Sequence, residues 1–259
     1  MVFPQVVIKG IELIQAPELT AFPEVVHAFS TRNGGVSTGP FSSLNLGISD
    51  GDILRNILIN RKRFCNTLNF APSDLAQAEQ LHSNRVVVVN SKGPYQNCDA
   101  LITRHPHICL SVKTADCAPI LLYDPMQKVI AAIHAGWRGT VEGIISNTIT
   151  TMQAEFNSKP LEIIAVIGPA IHSCCYEVKE DVAQLFAENE IIRRDQRLYL
   201  DLIAAVTNRL IRAGLQPTHI ADSGFCTACH PNKFYSYRRD GAKTGRMLSV
   251  IGIDQRNKS

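Results

Sequence analysis

The sequence predicts an α/β fold, a single domain in which a mixed β-sheet is flanked by helices in three layers. Three observations carry this. Short apolar runs bounded by turn residues interleave with longer stretches of helical period. Two of the runs, VVVV at 86–89 and VIAAI at 129–133, are apolar without alternation, as strands covered on both faces are. No Ser/Gly-rich or charged linker divides the 259 residues, so one domain spans 1–259, with 254–259 expected as a disordered tail. Hydrophobic residues at 45% against 19% charged suffice for one continuous core.

Taken in chain order, a first helix is expected from Asp52 to about Leu68, with Ile53, Ile57, Phe64 and Leu68 broadly on one side. Strands follow at Val86–Val89, Ile108–Val112, Ile120–Tyr123 and Val129–Ile133. The clearest helical period runs over 140–157, where Val141, Ile144, Ile145, Thr148, Ile149, Met152 and Phe156 share a face and Thr140 is placed to cap the start. A strand at Ile163–Ile167 precedes a helix over about 178–189 carrying Val182, Leu185 and Phe186. The last helix covers about 200–213, with Leu202, Val206, Leu210 and Ile211 inward and Gly214 as its stop, and Leu248–Ile253 closes the sheet.

Charge and cysteine usage exclude several classes. A net charge of +3 with scattered Lys and Arg gives no basic face for nucleic acid. The start MVFPQVVIKG lacks a basic region and a long apolar run, and nothing approaches the roughly 20 apolar residues of a membrane span. A cytoplasmic location, with the eight cysteines mostly reduced, is therefore expected. Adjacent Cys174 and Cys175 read as two buried or half-buried thiols, not a bridge. Cys226-Thr227-Ala228-Cys229-His230 fits the spacing of covalent haem attachment, which needs export. A zinc ribbon would need a second Cys pair at similar spacing, so neither haem nor structural zinc is expected there.

Polar chemistry gathers at three predicted strand ends: Gln80-Leu81-His82-Ser83-Asn84, Thr114-Ala115-Asp116-Cys117-Ala118-Pro119, and His134-Ala135-Gly136-Trp137-Arg138-Gly139-Thr140. Loops at strand ends are where open α/β sheets bind ligands. The third also leads into a helix start, whose free N–H groups suit an anion. Residue by residue, a lone His such as His82 or His134 is more often structural, and a lone Cys such as Cys117 is more often a small buried hydrophobe. Separations of 35 and 17 residues match no local ligand motif.

Larger motifs add what spacing does not. CDALIT (98–103), TADCAPILLYDP (114–125), HAGWRGT (134–140) and FYSYRRDGAKTGRM (234–247) resemble the YfiH family, also labelled multicopper polyphenol oxidase or laccase-domain proteins. TRNGGVSTGPFSSLNLG (31–47), IGPAIHSCCYEV (167–178) and DSGFCTACHPNKFYSYRRDG (222–241) are similar to it too, so the resemblance covers nearly the whole chain. It implies a three-layer α/β fold and a zinc-dependent purine nucleoside phosphorylase, with adenosine deaminase and methylthioadenosine phosphorylase side activities. It maps a His, a Cys and a second His onto His82, Cys117 and His134 as catalytic metal ligands. Three such ligands leave Zn2+ a fourth position for water or substrate.

The expected partners are thus a nucleoside and phosphate, with no nucleic acid and no membrane. Phosphate needs positive groups, and Arg32, Arg138 and Arg239 are the candidates. Asp116 could orient a ligand or shuttle a proton, or simply close a turn. Cu2+ at the same three ligands is the other metal to weigh. Phenol oxidation by several coppers would need a His-rich cluster, and among eight histidines only His105-Pro106-His107 has the paired spacing. The remaining alternatives are a cysteine hydrolase or deamidase, with Cys117 as nucleophile and a His as base, and a purine-sensing module.

Overall fold

The computed structural model describes residues 2–48 and 51–254. Of the expected tail, 255–259 lie outside the described residues, while the Asp254 N–H donates to the Glu24 carbonyl at 2.8 Å.

The mixed α/β class is as predicted, but the strands divide between two large sheets. One has seven strands in the order Gln5–Ile8, Ile11–Ile14, Val25–Ser30, Met247–Ile253, Cys109–Thr114, Leu75–Glu79, Gly93–Gln96. The other has six, in the order Ile220–Asp222, Ile164–Ile167, Ala118–Asp124, Val129–Ala135, Ala100–Thr103, Val86–Val88. A small third sheet joins Glu177–Val178, Arg197–Leu200 and Ile191–Arg194.

Alternation along the central strands shows what covers each face. Ile120, Leu122, Ala131 and Ile133 pack with Ile145, Ile149, Val206 and Leu210 from the helices Ile144–Phe156 and Leu202–Arg212. Leu121, Tyr123, Ile130 and Ala132 pack instead against Phe29, Leu110, Val112 and Ile251 of the seven-stranded sheet. The outer face of that sheet, with Leu13, Ala28, Leu248 and Val250, receives Phe64 and Cys65 of the helix Leu54–Thr67. The order is helix, sheet, sheet, helix: four layers where the sequence suggested three. Unbroken apolar runs report that both faces are buried, but a neighbouring sheet and a neighbouring helix demand the same residues.

Two of the four expected helices, Leu54–Thr67 and Leu202–Arg212, keep their places. Leu202–Arg212 is capped by the Asp201 carboxylate, which accepts from the Ala204 N–H at 2.9 Å, and stops at Gly214 with φ +98°. The helix expected over 140–157 is broken in two, Trp137–Glu142 and Ile144–Phe156, by Gly143 at φ +91°. Thr140 consequently lies inside the first piece, its hydroxyl buried and unpartnered, and does not cap. Over 178–189 the helix shrinks to the turn Glu180–Ala183 and a 3-10 turn at Glu188–Glu190, because the chain is drawn into the third sheet on either side. No helix among the described residues is long and apolar enough to cross a membrane.

Candidate metal centre

Two crossovers between the large sheets build the site. The chain leaves the seven-stranded sheet at Glu79 and enters the six-stranded one at Val86, with His82 on the way. It crosses again between Thr114 and Ala118, with Cys117 as the last residue before the strand. Antiparallel pairing of Ala118 with Ala135 and of Pro119 with His134 then sets the exit of Val129–Ala135 beside Cys117. The ligand atoms of His82, Cys117 and His134 all lie within 4.8 Å of one another, and the two rings are edge to face at 4.8 Å. His134 is buried, Cys117 half-buried and His82 exposed, so the group opens to solvent on one side. Gly136 keeps that space: a Cβ there would stand 2.9 Å from both Cys117 Sγ and His82 Nδ1.

A fourth residue, absent from the sequence-based candidates, holds the three in place. Asp99 is fully buried at the head of the strand Ala100–Thr103. It accepts the backbone N–H groups of Leu81 (3.1 Å), His82 (3.0 Å) and Ser83 (2.7 Å), and the Ser83 hydroxyl at 2.7 Å. Its Oδ1 also lies 2.7 Å from His134 Nδ1. An ionised carboxylate only accepts, so His134 carries its proton on Nδ1 and turns Nε2 to the centre. These bonds also hold the His82 backbone at φ +59°, a region that a non-glycine residue needs help to keep. The signal was in the sequence, an acid opening the otherwise apolar run CDALIT.

The electrostatics suit a thiolate ligand. Burial alone would raise the Cys117 thiol, but the positive His134 and hydrogen bonds from both histidines outweigh it and bring it down to about 6. His134 is opposed by burial as well, and the Cys117 thiolate with the Asp99 bond lifts it to about 9. For Asp99, desolvation is overcome by the bonds from His134 and Ser83, which hold it at about 2. Two imidazoles and a thiolate converging on one point, with an oriented His and an open side, fit a metal ion.

The other predicted residues fall into two sets. Asp116, at φ +94°, accepts the Thr227 hydroxyl on Oδ1 and the Arg238 N–H on Oδ2, both at 2.6 Å. Arg32 donates to the carbonyls of Ser42 (2.7 Å) and Pro231 (2.9 Å) and lies over the Tyr235 ring. Arg239 donates to both oxygens of Asp240 and to the carbonyls of Thr227, Ala228 and Phe234. Arg138 is exposed, with its guanidinium 5.3 Å from the centre of the Trp137 ring.

Trp137 opens a cleft of about 420 Å³ that Tyr176, Lys179 and Arg238 also line. The cleft adjoins the centre, since Trp137 follows Gly136 and the Tyr176 phenol, raised chiefly by burial, also feels the negative Cys117. Arg246, whose guanidinium donates to the carbonyls of Thr244 and Gly245, is near enough to feel Cys117. Burial lowers it, against the opposing pull of Cys117.

Residues 26–254 match the family described as "Multi-copper polyphenol oxidoreductase laccase". A purine nucleoside phosphorylase of Deinococcus radiodurans is 41% identical over 251 residues, 95% of each chain. The purine nucleoside phosphorylase YlmD of Bacillus subtilis is 34% identical over 253 residues, 90% of each chain. The crystal structure of YlmD from Geobacillus stearothermophilus superposes with a TM-score of 0.91 at 32% identity, covering 98% of this chain and 99% of that one. By a match of this extent, running through all three ligand loops, the chain belongs to the multi-copper polyphenol oxidoreductase laccase family.

Proposed function

We propose that this chain is a zinc-dependent purine nucleoside phosphorylase, with adenosine deamination and methylthioadenosine phosphorolysis as side activities. The observation that carries the reading is the His82–Cys117–His134 group, locked by Asp99 and set beside a cleft with two aromatic walls. The relatives named purine nucleoside phosphorylase, similar over almost the full chain, support the substrate class.

In phosphorolysis a phosphate oxygen bonds to C1′ of the ribose as the C1′–N9 bond breaks. The bonding pair leaves with the purine, which takes up a proton. Zinc on His82, Cys117 and His134 would supply a Lewis acid with one open position. The chain's own residues do the rest. Trp137 and Tyr176 offer flat faces for the purine, and Asp99 keeps His134 in one tautomer and orientation. Asp116 joins the Cys117 loop to Thr227 and Arg238, which fixes the wall of the cleft. Phosphate is assigned to Arg138, since the guanidinium groups of Arg32 and Arg239 are occupied by carbonyl and carboxylate oxygens.

One observation favours a second reading. Without metal, a thiol near 6 beside an imidazole near 9 is a thiolate–imidazolium pair backed by a carboxylate, as in cysteine hydrolases. A panel of nucleosides incubated with and without phosphate separates the two. Release of base with ribose 1-phosphate only when phosphate is present, lost to a chelator and restored by Zn2+, is the expected result. His82→Ala and His134→Ala should abolish it. Turnover that survives chelation but dies on alkylation of Cys117 would replace the phosphorylase by a thiol hydrolase. Rapid oxygen-coupled phenol oxidation by the copper-loaded protein would instead favour an oxidase.

A further inference from the structure

We propose that Cys174, Cys175, Cys226 and Cys229 form a second metal centre, a tetrathiolate zinc site that ties together two loops behind the cleft. This assignment is independent of the nucleoside reading. Neither pair suggested such a site in the sequence, because a Cys-Cys step and a Cys-x-x-Cys step about fifty residues apart do not repeat a spacing. The fold supplies the missing relation.

Strands Ile164–Ile167 and Ile220–Asp222 are parallel neighbours, so the loops that leave them emerge side by side. A further bridge between Ala170 and Cys226 continues the pairing beyond the sheet, with the Thr227 N–H donating to the Ala170 carbonyl at 2.9 Å. The four Sγ atoms then lie within 4.8 Å of one another. Cys229 Sγ is 3.4 Å from that of Cys174 and 3.3 Å from that of Cys175. With Zn–S bonds of about 2.3 Å, a sulfur tetrahedron has edges of about 3.8 Å. One sulfur touching two others is convergence on a point, whereas disulfides would sort the four into pairs.

One backbone donor reaches the group. The His172 N–H points at Cys226 Sγ at 3.5 Å. Arg194 donates to the carbonyls of Ser173 (2.9 Å) and Cys174 (3.3 Å), and Arg239 to those of Thr227 (2.9 Å) and Ala228 (3.2 Å). Each loop is thus held by a guanidinium, that of Arg239 being also paired with the Asp240 carboxylate. As zinc binds, each thiol releases its proton to solvent. Exposed Cys174 and Cys229 give the ion a way in.

The site would brace the first centre from behind. Tyr176, in the cleft, directly follows Cys175, and Thr227, between the other two cysteines, holds Asp116 next to Cys117.

Elemental analysis and thiol mapping test this. Protein carrying His82→Ala and His134→Ala should still bind roughly one Zn2+ per chain, and adding Cys174→Ser and Cys229→Ser should remove it. Cobalt in the two-histidine variant should give the strong thiolate-to-metal absorption of a tetrahedral sulfur site. In the unaltered protein, which does not depend on the variants folding, zinc should shield all four cysteines from alkylation, as read by peptide mass. If the four thiols stay equally reactive with and without zinc, or are isolated as disulfides from protein purified without oxidant, the site does not exist.

Discussion

Asp99 makes five hydrogen bonds through two carboxylate oxygens, and all but one go to the loop that carries His82. The fifth goes to His134, so a single buried side chain positions ligands from two different loops. Asp99→Asn keeps the shape but turns an NH2 group toward N–H donors it cannot accept from. Zinc affinity at the first centre should fall by about 10- to 100-fold, as measured by competition with a chromophoric chelator. A lowered melting temperature with unchanged zinc affinity would mean that Asp99 serves the loop alone. At this scale the sequence was legible in part. His82, Cys117 and His134 do meet, but what linked them beforehand was resemblance, because ligands contributed by separate sheet crossovers leave no periodic trace. Asp99 was visible as an acid in an apolar run, and Cys174 could not be paired with Cys229 before the parallel strands were known.

Among the elements, apolar strands buried on both faces were legible in the sequence and polar edge strands were not. The strands at 118–124, 129–135 and 247–253 are buried along their whole length and announce themselves. Gln5–Ile8, Leu75–Glu79 and Gly93–Gln96 lie at or near the edge of a sheet, include polar residues or proline, and were not anticipated. The helix at 140–157 shows how local sequence misleads in detail, since its period holds from Ile144 on but Gly143 resets the axis. That break matters for phosphate. The piece that leaves the metal centre, Trp137–Glu142, is only six residues long and starts before the anticipated Gly139-Thr140. Its dipole is correspondingly small, and the anion must rely on side-chain charge. Arg138→Ala should therefore weaken the phosphate response by about 10- to 150-fold, the loss of a charge-assisted contact of roughly 1.5–3 kcal/mol. Zinc content should not change. Arg32→Ala and Arg239→Ala, which unpin loops, should instead lower the melting temperature. An Arg138→Ala protein with an unaltered phosphate requirement would move the anion to Arg246 or Arg238.

The whole molecule depends on how the two sheets close on each other, and one histidine makes that closure sensitive to acid. His27 lies in the strand Val25–Ser30 and is 2% exposed. Its Nε2 accepts the Ala16 N–H at 2.9 Å, so it fastens the segment leading into the turn Pro17–Thr20, and its Nδ1 has no partner. Burial opposes the charged ring, and despite the bond to Ala16 the group is lowered from 6.5 to about 4. The sign follows from linkage. Between these values the unfolded chain takes up a proton that the folded chain refuses, so stability is complete above about 6.5 and declines as the pH falls toward 4. The group should account for a loss of about 3 kcal/mol across that window. His27→Gln retains an acceptor for Ala16 but cannot protonate. Denaturant unfolding of both proteins from pH 7 to 4 should show the unaltered chain losing more stability, so that the difference between the two curves shifts by that amount in acid. Contributions from the metal ligands titrate identically in both and cancel in the difference. Parallel curves would mean that the ring is protonated in place, and that the sheet interface opens enough to solvate it.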